Sequence, residues 1–193
     1  MDIKRPASKQ PLPENAKKVF SGTLFDVYQW DQKMYDGSTV VFEKLKRPDT
    51  VTVFPVLPDG RILLTKQEQP GKAPFIGAAG GRVDDGEDIL AAAKRELLEE
   101  TGYEAGNFDL WMADQPISKV EWAVYVFIAK GVRKVAEPHL DAGEKIELMS
   151  VSFDEFLRLA TEDHFIDKEI LARVHEARLD PNKMEELRRR FSL

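Results

Sequence analysis

The residues best placed to do chemistry are three carboxylates in Arg95-Glu96-Leu97-Leu98-Glu99-Glu100-Thr101-Gly102. The stretch Asp88 to Glu100 is rich in Ala, Leu, Lys, Arg and Glu, with no Pro or Gly, which predicts a helix stopped at Gly102. At ~100° per residue, Glu96, Glu99 and Glu100 then share an arc of about 100°. Glu100 stands four residues after Glu96, where an ordinary solvated helix more often carries Lys or Arg. Such a like-charge stack is costly unless a cation neutralises it. A hard divalent ion such as Mg²⁺ takes oxygen ligands and keeps several waters, which leaves room for a substrate phosphate. The competing account is a merely solvated, Glu-rich helix.

The loop before this helix matters as well. Gly80, Gly81 and Gly86 permit close approach of the backbone to a ligand, and backbone carbonyls there can join a metal shell. Glu87 precedes Arg95 by eight residues, so the two pair only if the loop folds back. That salt bridge would fix the loop against the helix rather than do chemistry.

Other elements must hold this segment. Residues 1–16 read as a loose, Pro-containing arm. Two β-rich runs, Val19 to Trp30 and Val40 to Leu45, flank Tyr35-Asp36-Gly37-Ser38, a hairpin signal that predicts two or three antiparallel strands. A second hairpin is expected from Thr50–Leu57 and Arg61–Gln67 around Pro58-Asp59-Gly60, followed by an irregular, Gly-rich connection from Gln69 to Gly81. Strands are expected at Phe108–Met112, Glu121–Ala129 and Ile146–Val151. Ser152 with Glu155 forms a capping box that opens a helix, residues 165–179 read as a final amphipathic helix, and Met184 to Leu193 as a charged tail. The chain thus divides into an arm and strand unit (1–48), a main domain (49–180) and a tail (181–193).

Composition narrows the classes of function. With 193 residues and 42% apolar content, the chain can bury a real core. The absence of Cys removes disulfide scaffolds, Fe–S clusters and thiol nucleophiles. A net charge of −6 opposes a duplex-binding basic face, so no nucleic acid is expected as a partner. The polar N-terminus lacks an apolar export segment and no stretch is long enough to span a bilayer, which predicts a cytoplasmic protein without membrane contact. The three His, at 139, 164 and 175, form no zinc-binding i, i+4 pair, and no G-x-S-x-G elbow is present.

The spacing Gly81-x5-Glu87-x7-Arg95-Glu96-Leu97-x-Glu99-Glu100-x-Gly102 resembles the Nudix box, with Tyr103 in place of its last aliphatic residue. Over about residues 19–180 the chain resembles the ADP-ribose pyrophosphatase and nucleotide-sugar branch of that family. The resemblance implies an α/β (α+β) Nudix fold, a mixed β-sheet sandwiched between helices, with an N-terminal antiparallel strand unit that completes a homodimer. It implies hydrolysis of a nucleoside diphosphate linked to a sugar, ADP-ribose first, giving AMP and ribose 5-phosphate, with Mg²⁺ or Mn²⁺ as cofactor. Carried over residue by residue, Glu96, Glu100 and the Gly80 carbonyl are metal ligands and Glu99 is a further ligand or a base. Gly81, Glu87, Arg95 and Gly102 support the box. Glu144, or failing it Glu147, is the catalytic carboxylate of an acidic loop. Phe25 and Phe42 fall where relatives stack the nucleobase, sometimes across the dimer, and Arg47 where a phosphate or ribose contact is expected. For both aromatics, simple sheet packing is the competing account, and for Arg47 an exposed surface position.

Two departures bear on the substrate. The branch often carries an Arg after the second hairpin, and here the residues are Gln67-Glu68-Gln69. Gly77-Ala78-Ala79-Gly80-Gly81 stands in place of its Glu-x-Pro-Ala-Gly, which loses the upstream Glu, and the Gly-Gly pair is closer to the nucleoside-triphosphate branch. Triphosphates, dinucleotides and other nucleotide sugars are the alternative substrates. A non-catalytic ligand sensor of Nudix type is the alternative of another class, opposed by the complete set of box carboxylates.

Overall fold

The structure, a computed structural model, describes residues 3–140, 142–143 and 145–193. The chain begins with a three-strand antiparallel meander, β1 (Lys17–Ser21), β2 (Asp26–Lys33) and β3 (Thr39–Lys46). The β2–β3 turn closes where Asp-Gly placed it: Gly37 has φ 85°, and Asp36 Oδ1 accepts from Ser38 N at 2.9 Å.

The next two strands, β4 (Thr50–Pro55) and β5 (Ile62–Glu68), occupy the expected positions but do not form the expected hairpin. They share a single bridge, Val56 with Ile62, and then part into different sheets. Both runs are apolar on both faces: Val51, Val53 and Phe54 of β4 and Ile62, Leu63 and Leu64 of β5 are all buried. Each strand therefore needs neighbours on both sides and cover on both faces. The Gly-rich stretch expected as irregular supplies two of those neighbours, β6 (Phe75–Gly77) beside β5 and β7 (Ala79–Arg82) beside β4.

Helix α1 (Ile89–Thr101) is bounded as the sequence predicts. Asp88 caps it by accepting from Leu90 N and Ala91 N, and Gly102 ends it at φ 73°. Then follow β8 (Tyr103–Glu104), β9 (Asn107–Asp114), β10 (Val120–Glu121), β11 (Val124–Lys130), β12 (Arg133–Lys134) and β13 (Lys145–Val151). The single strand expected over 121–129 is broken at Trp122-Ala123, where the chain crosses from β3 in the N-terminal sheet to β4 in the central one. Ser152 caps α2 (Phe153–Leu159), accepting from Glu155 N. The last expected helix starts late. Phe165 bridges to Ile76 as an added edge strand, a 3₁₀ turn covers Lys168–Ile170, and α3 (Leu171–Leu179) follows. Residues of the charged tail form α4 (Pro181–Arg190), whose Leu187, with Phe191 just beyond, is buried in the core.

The central mixed sheet, ordered β7-β4-β11-β9, lies between helices, as expected. One face packs Val51, Val53, Tyr125 and Phe127 on Ala92, Ala93 and Leu97 of α1. The other packs Phe54, Val126 and Ile128 on the β13-β5-β6 sheet and on α2, α3 and α4, with Phe191 5.1 Å from Phe156 and 5.6 Å from Trp111 between ring centroids. The N-terminal arm is not loose. Arg5 binds Asp49 and Glu121, Pro6 O accepts from Gln115, and the buried Lys44 donates to Ser8 Oγ, Gln10 O and Glu121. Burial would raise the Glu121 carboxyl, but hydrogen bonds from Lys44, Arg5 and Ser8 outweigh it and hold the group at about 2.

Candidate active site

The box is organised by one guanidinium. Arg95 Nε and Nη2 form a bidentate pair with Glu87 at 2.9 and 2.8 Å, so the loop does fold back. Nη1 reaches Glu96 Oε1 at 2.8 Å and Glu99 Oε2 at 3.1 Å, and Nη2 also donates to Arg82 O at 3.0 Å. All five N–H donors of the fork are used. Two consequences appear in the titration of the pair: the hydrogen bond from Arg95 holds the Glu87 carboxyl below its ordinary range, and Glu87 raises the Arg95 guanidinium.

The glycines of β7 make room on two sides, Gly80 for the β4 backbone and Gly81 for a carboxylate of α1. A Cβ on Gly81 would lie 2.5–2.7 Å from the Glu96 carboxylate, so only glycine leaves that space. Glu100 is buried, and its Oε2 accepts from Gly80 N at 3.0 Å. Since N–H and C=O of one strand residue point to the same side, the Gly80 carbonyl opens toward the same edge. Among the described residues no three acidic side chains enclose a cation by themselves. The donors here are two neighbouring carboxylates and a backbone oxygen on an edge strand. That set fits Mg²⁺, which is held by one or two carboxylates with water and substrate phosphate completing the shell.

Arg47 lies across the central sheet from α1. Its guanidinium sits 4.8 Å above the Trp122 ring and 5.8 Å from that of Phe25, and its buried Nε has no hydrogen-bond partner. Burial and the nearby Arg82 guanidinium lower its pKa, and Glu169 opposes them. The structure thus joins Phe25 to Arg47. It keeps Phe42 apart: that ring packs edge-on to Trp30 at 5.9 Å, under Lys119 Nζ at 4.8 Å, on the N-terminal sheet. Glu147 stands opposite Lys66 on the β13–β5 ladder, 3.8 Å from its Nζ and 77% exposed, with no contact to the α1 carboxylates among the described residues. Glu144 lies outside the described residues.

Two acidic residues went unnoticed in the sequence. Asp167 Oδ2 accepts from Ala78 N at 2.7 Å, two residues before Gly80, and burial pushes its carboxyl up to about 7. Burial also raises Glu169, which faces Arg47. Their segment, Phe165-Ile-Asp-Lys-Glu-Ile, reads as the first turn of an amphipathic helix, so no local signal marks them. Trp122, packed at the edge of the core, is also the platform under Arg47.

A fold of this type, carrying a bidentate Arg–Glu loop clamp and helix carboxylates against a glycine strand, defines a Nudix-type site. The NUDIX domain matches residues 46–174, and the chain belongs to that family. Its box, with every carboxylate present, is that of a Nudix hydrolase. The chain is 31% identical over 146 residues to an ADP-ribose pyrophosphatase of Bacillus subtilis (strain 168), covering 74% of this chain and 79% of that protein. It is 26% identical over 167 residues to a methanol dehydrogenase activator of Bacillus methanolicus, covering 84% and 90%. A crystal structure of an ADP compounds hydrolase superposes with a TM-score of 0.70 at 20% identity, over 89% of this chain and 94% of that one.

Proposed function

We propose that this protein hydrolyses the diphosphate linkage of a nucleoside diphosphate joined to a sugar, with ADP-ribose as the leading substrate. The observation that carries this reading is Arg47, a half-buried guanidinium with an unpartnered Nε, seated between Phe25 and Trp122 near the box. An unsatisfied buried donor is costly. A substrate phosphate supplies the missing acceptor, and the adjacent rings offer a surface for a nucleobase. The name of the Bacillus subtilis relative points to ADP-ribose.

Mg²⁺ or Mn²⁺ held by Glu96, Glu100 and the Gly80 carbonyl, with Glu99 as a further ligand, supplies Lewis-acid polarisation of the diphosphate and a more acidic attacking water. The chain's own groups do the rest. Arg95 fixes Glu96 and Glu99 and anchors the loop through Glu87. Glu99, half-exposed at the end of that network, or a carboxylate of the acidic loop, Glu144 or Glu147, accepts the water proton. The water oxygen bonds to phosphorus, the bridging P–O bond breaks, and AMP and ribose 5-phosphate leave. Two copies pair through the β1–β3 sheet, which leaves Val19, Phe20, Val40 and Val41 exposed on its two faces, and Phe42 on that sheet would serve the partner's site. Among the described residues no helix is long and apolar enough to cross a membrane, and cytoplasmic residence accords with the reading.

The test is phosphate release, coupled to a phosphomonoesterase, from ADP-ribose, GDP-mannose, UDP-glucose, NADH, diadenosine polyphosphates and nucleoside triphosphates, each with Mg²⁺ or Mn²⁺. Metal-dependent turnover of ADP-ribose, lost in Glu100→Gln, is expected. Turnover of triphosphates alone would replace the substrate. Silence on every compound with ADP-ribose still bound would replace catalysis by ligand sensing.

A further inference from the structure

Arg82 carries no role in the box, where only its backbone oxygen is used. Its side chain is nonetheless placed with care. In the β4–β7 ladder Arg82 stands directly opposite Thr50, and Gly80 opposite Thr52. Opposed residues of an antiparallel pair project from the same face. Thr50 Oγ1 accepts from Trp122 Nε1 at 3.0 Å, and the Trp122 ring carries Arg47. Arg82 and Arg47 therefore rise from one surface, opposite the face that Val51 and Val53 bury against α1. Arg82 is also two residues from Gly80 on the same strand, roughly 6.7 Å along the backbone.

This arrangement is unfavourable for the protein alone. The two guanidiniums are close enough for Arg82 to lower the pKa of Arg47. Arg82 is exposed and, among the described residues, donates to no acceptor and joins no ion pair, while Arg47 leaves Nε unpartnered. Glu169 is the acidic group that faces Arg47, and it forms no salt bridge with it. Two guanidiniums without a salt-bridge partner among the described residues, on one face next to the edge strand of the box, match a doubly charged anion.

We propose that Arg82 is a substrate-binding residue that, with Arg47, clamps the diphosphate of the substrate. It takes the part of the arginine missing from Gln67-Glu68-Gln69, approaching from β7 rather than from the end of β5. This rests on the reading of the protein as a nucleoside diphosphate hydrolase.

The experiment compares the parent with Arg82→Ala and Arg82→Lys. It measures kcat and KM for ADP-ribose with Mg²⁺, and Kd for ADP and for AMP by calorimetry, with melting curves as a check on folding. A charge-assisted contact to phosphate predicts that Arg82→Ala weakens ADP binding and raises KM by ten- to a hundredfold. AMP binding should change by less than threefold, and Arg82→Lys should recover part of the ADP affinity. A merely structural role would move both nucleotides together or move the melting temperature. Unchanged ADP affinity and KM in Arg82→Ala, with an active parent, overturns the clamp and leaves the hydrolase reading standing. A parent that neither binds ADP nor turns over any diphosphate overturns both.

Discussion

Asp167→Asn isolates a single buried charge beside the site. The carboxyl accepts from Ala78 N, and burial raises its pKa from 3.8 to about 7, with Glu169 adding to the rise and Lys72 opposing it. In the unfolded chain the group ionises near 3.8. Between the two values the folded state holds a proton that the unfolded state has released, so stability falls as pH rises. The loss is small below pH 4 and complete above pH 7. A rise of about three units corresponds to roughly 4 kcal/mol at 1.36 kcal/mol per unit. Asn keeps an oxygen for Ala78 N–H and carries no charge, so this contribution to the slope vanishes. Urea unfolding of parent and variant at pH 5, 6, 7 and 8 gives the difference directly, and titrating groups not coupled to Asp167 cancel. The stability of Asp167→Asn relative to the parent should increase by about 2–3 kcal/mol between pH 5 and pH 8. A difference that stays flat with pH would refute the argument, because Asp167 would then ionise alike in both states.

Three further outcomes follow from the same geometry. Glu121→Gln removes a carboxylate held at about 2 that ties Lys44 and Arg5. The depressed value means its contribution, on the order of 3 kcal/mol, is present above about pH 4.5 and lost as pH falls toward 2. Urea titrations at pH 7 should show that loss, and limited proteolysis should show the arm released. Gly81→Ala places a methyl where the Glu96 carboxylate lies, and since that side chain is flexible the fold survives while the carboxylate moves. Steady-state kinetics should show kcat down by about a hundredfold with the melting temperature little changed. Arg95→Lys keeps the charge but has three donors for five acceptors. It should cost about 1–3 kcal/mol in urea unfolding and lower kcat, where an interchangeable cation would restore both.

What the sequence made legible was local chemistry. The Gly102 stop of α1 and the β2–β3 turn each depend on residues a few positions apart and stand where those residues placed them, and Glu87 and Arg95, expected to pair only if the loop folds back, do pair. The errors came from partners far away in the chain. Thr50–Leu57 and Arg61–Gln67 look like a hairpin because a tight turn joins them, but two-sided burial sends them to different sheets. Gly77 and Gly80 have poor strand propensity and become strand residues because β5 and β4 lie open beside them. Asp167 was unreadable for the same reason, since its acceptor role depends on Ala78, 89 positions earlier.

The like-charge stack of Glu96, Glu99 and Glu100 is costly without a cation, and α1 carries an internal one. Arg95 contacts Glu96 and Glu99 directly and brings Glu87 into the same cluster. Three carboxylates then surround one guanidinium, so the cluster keeps an excess of negative charge even with every Arg95 donor engaged. Glu100 is the member that Arg95 does not touch, and a neutral backbone N–H, that of Gly80, holds it instead. The division of labour follows from that difference. Arg95 satisfies the carboxylates on the loop side, Glu87, Glu96 and Glu99. In the proposed reaction, a divalent ion and the phosphates it carries would be drawn to Glu96 and Glu100 beside the Gly80–Gly81 backbone.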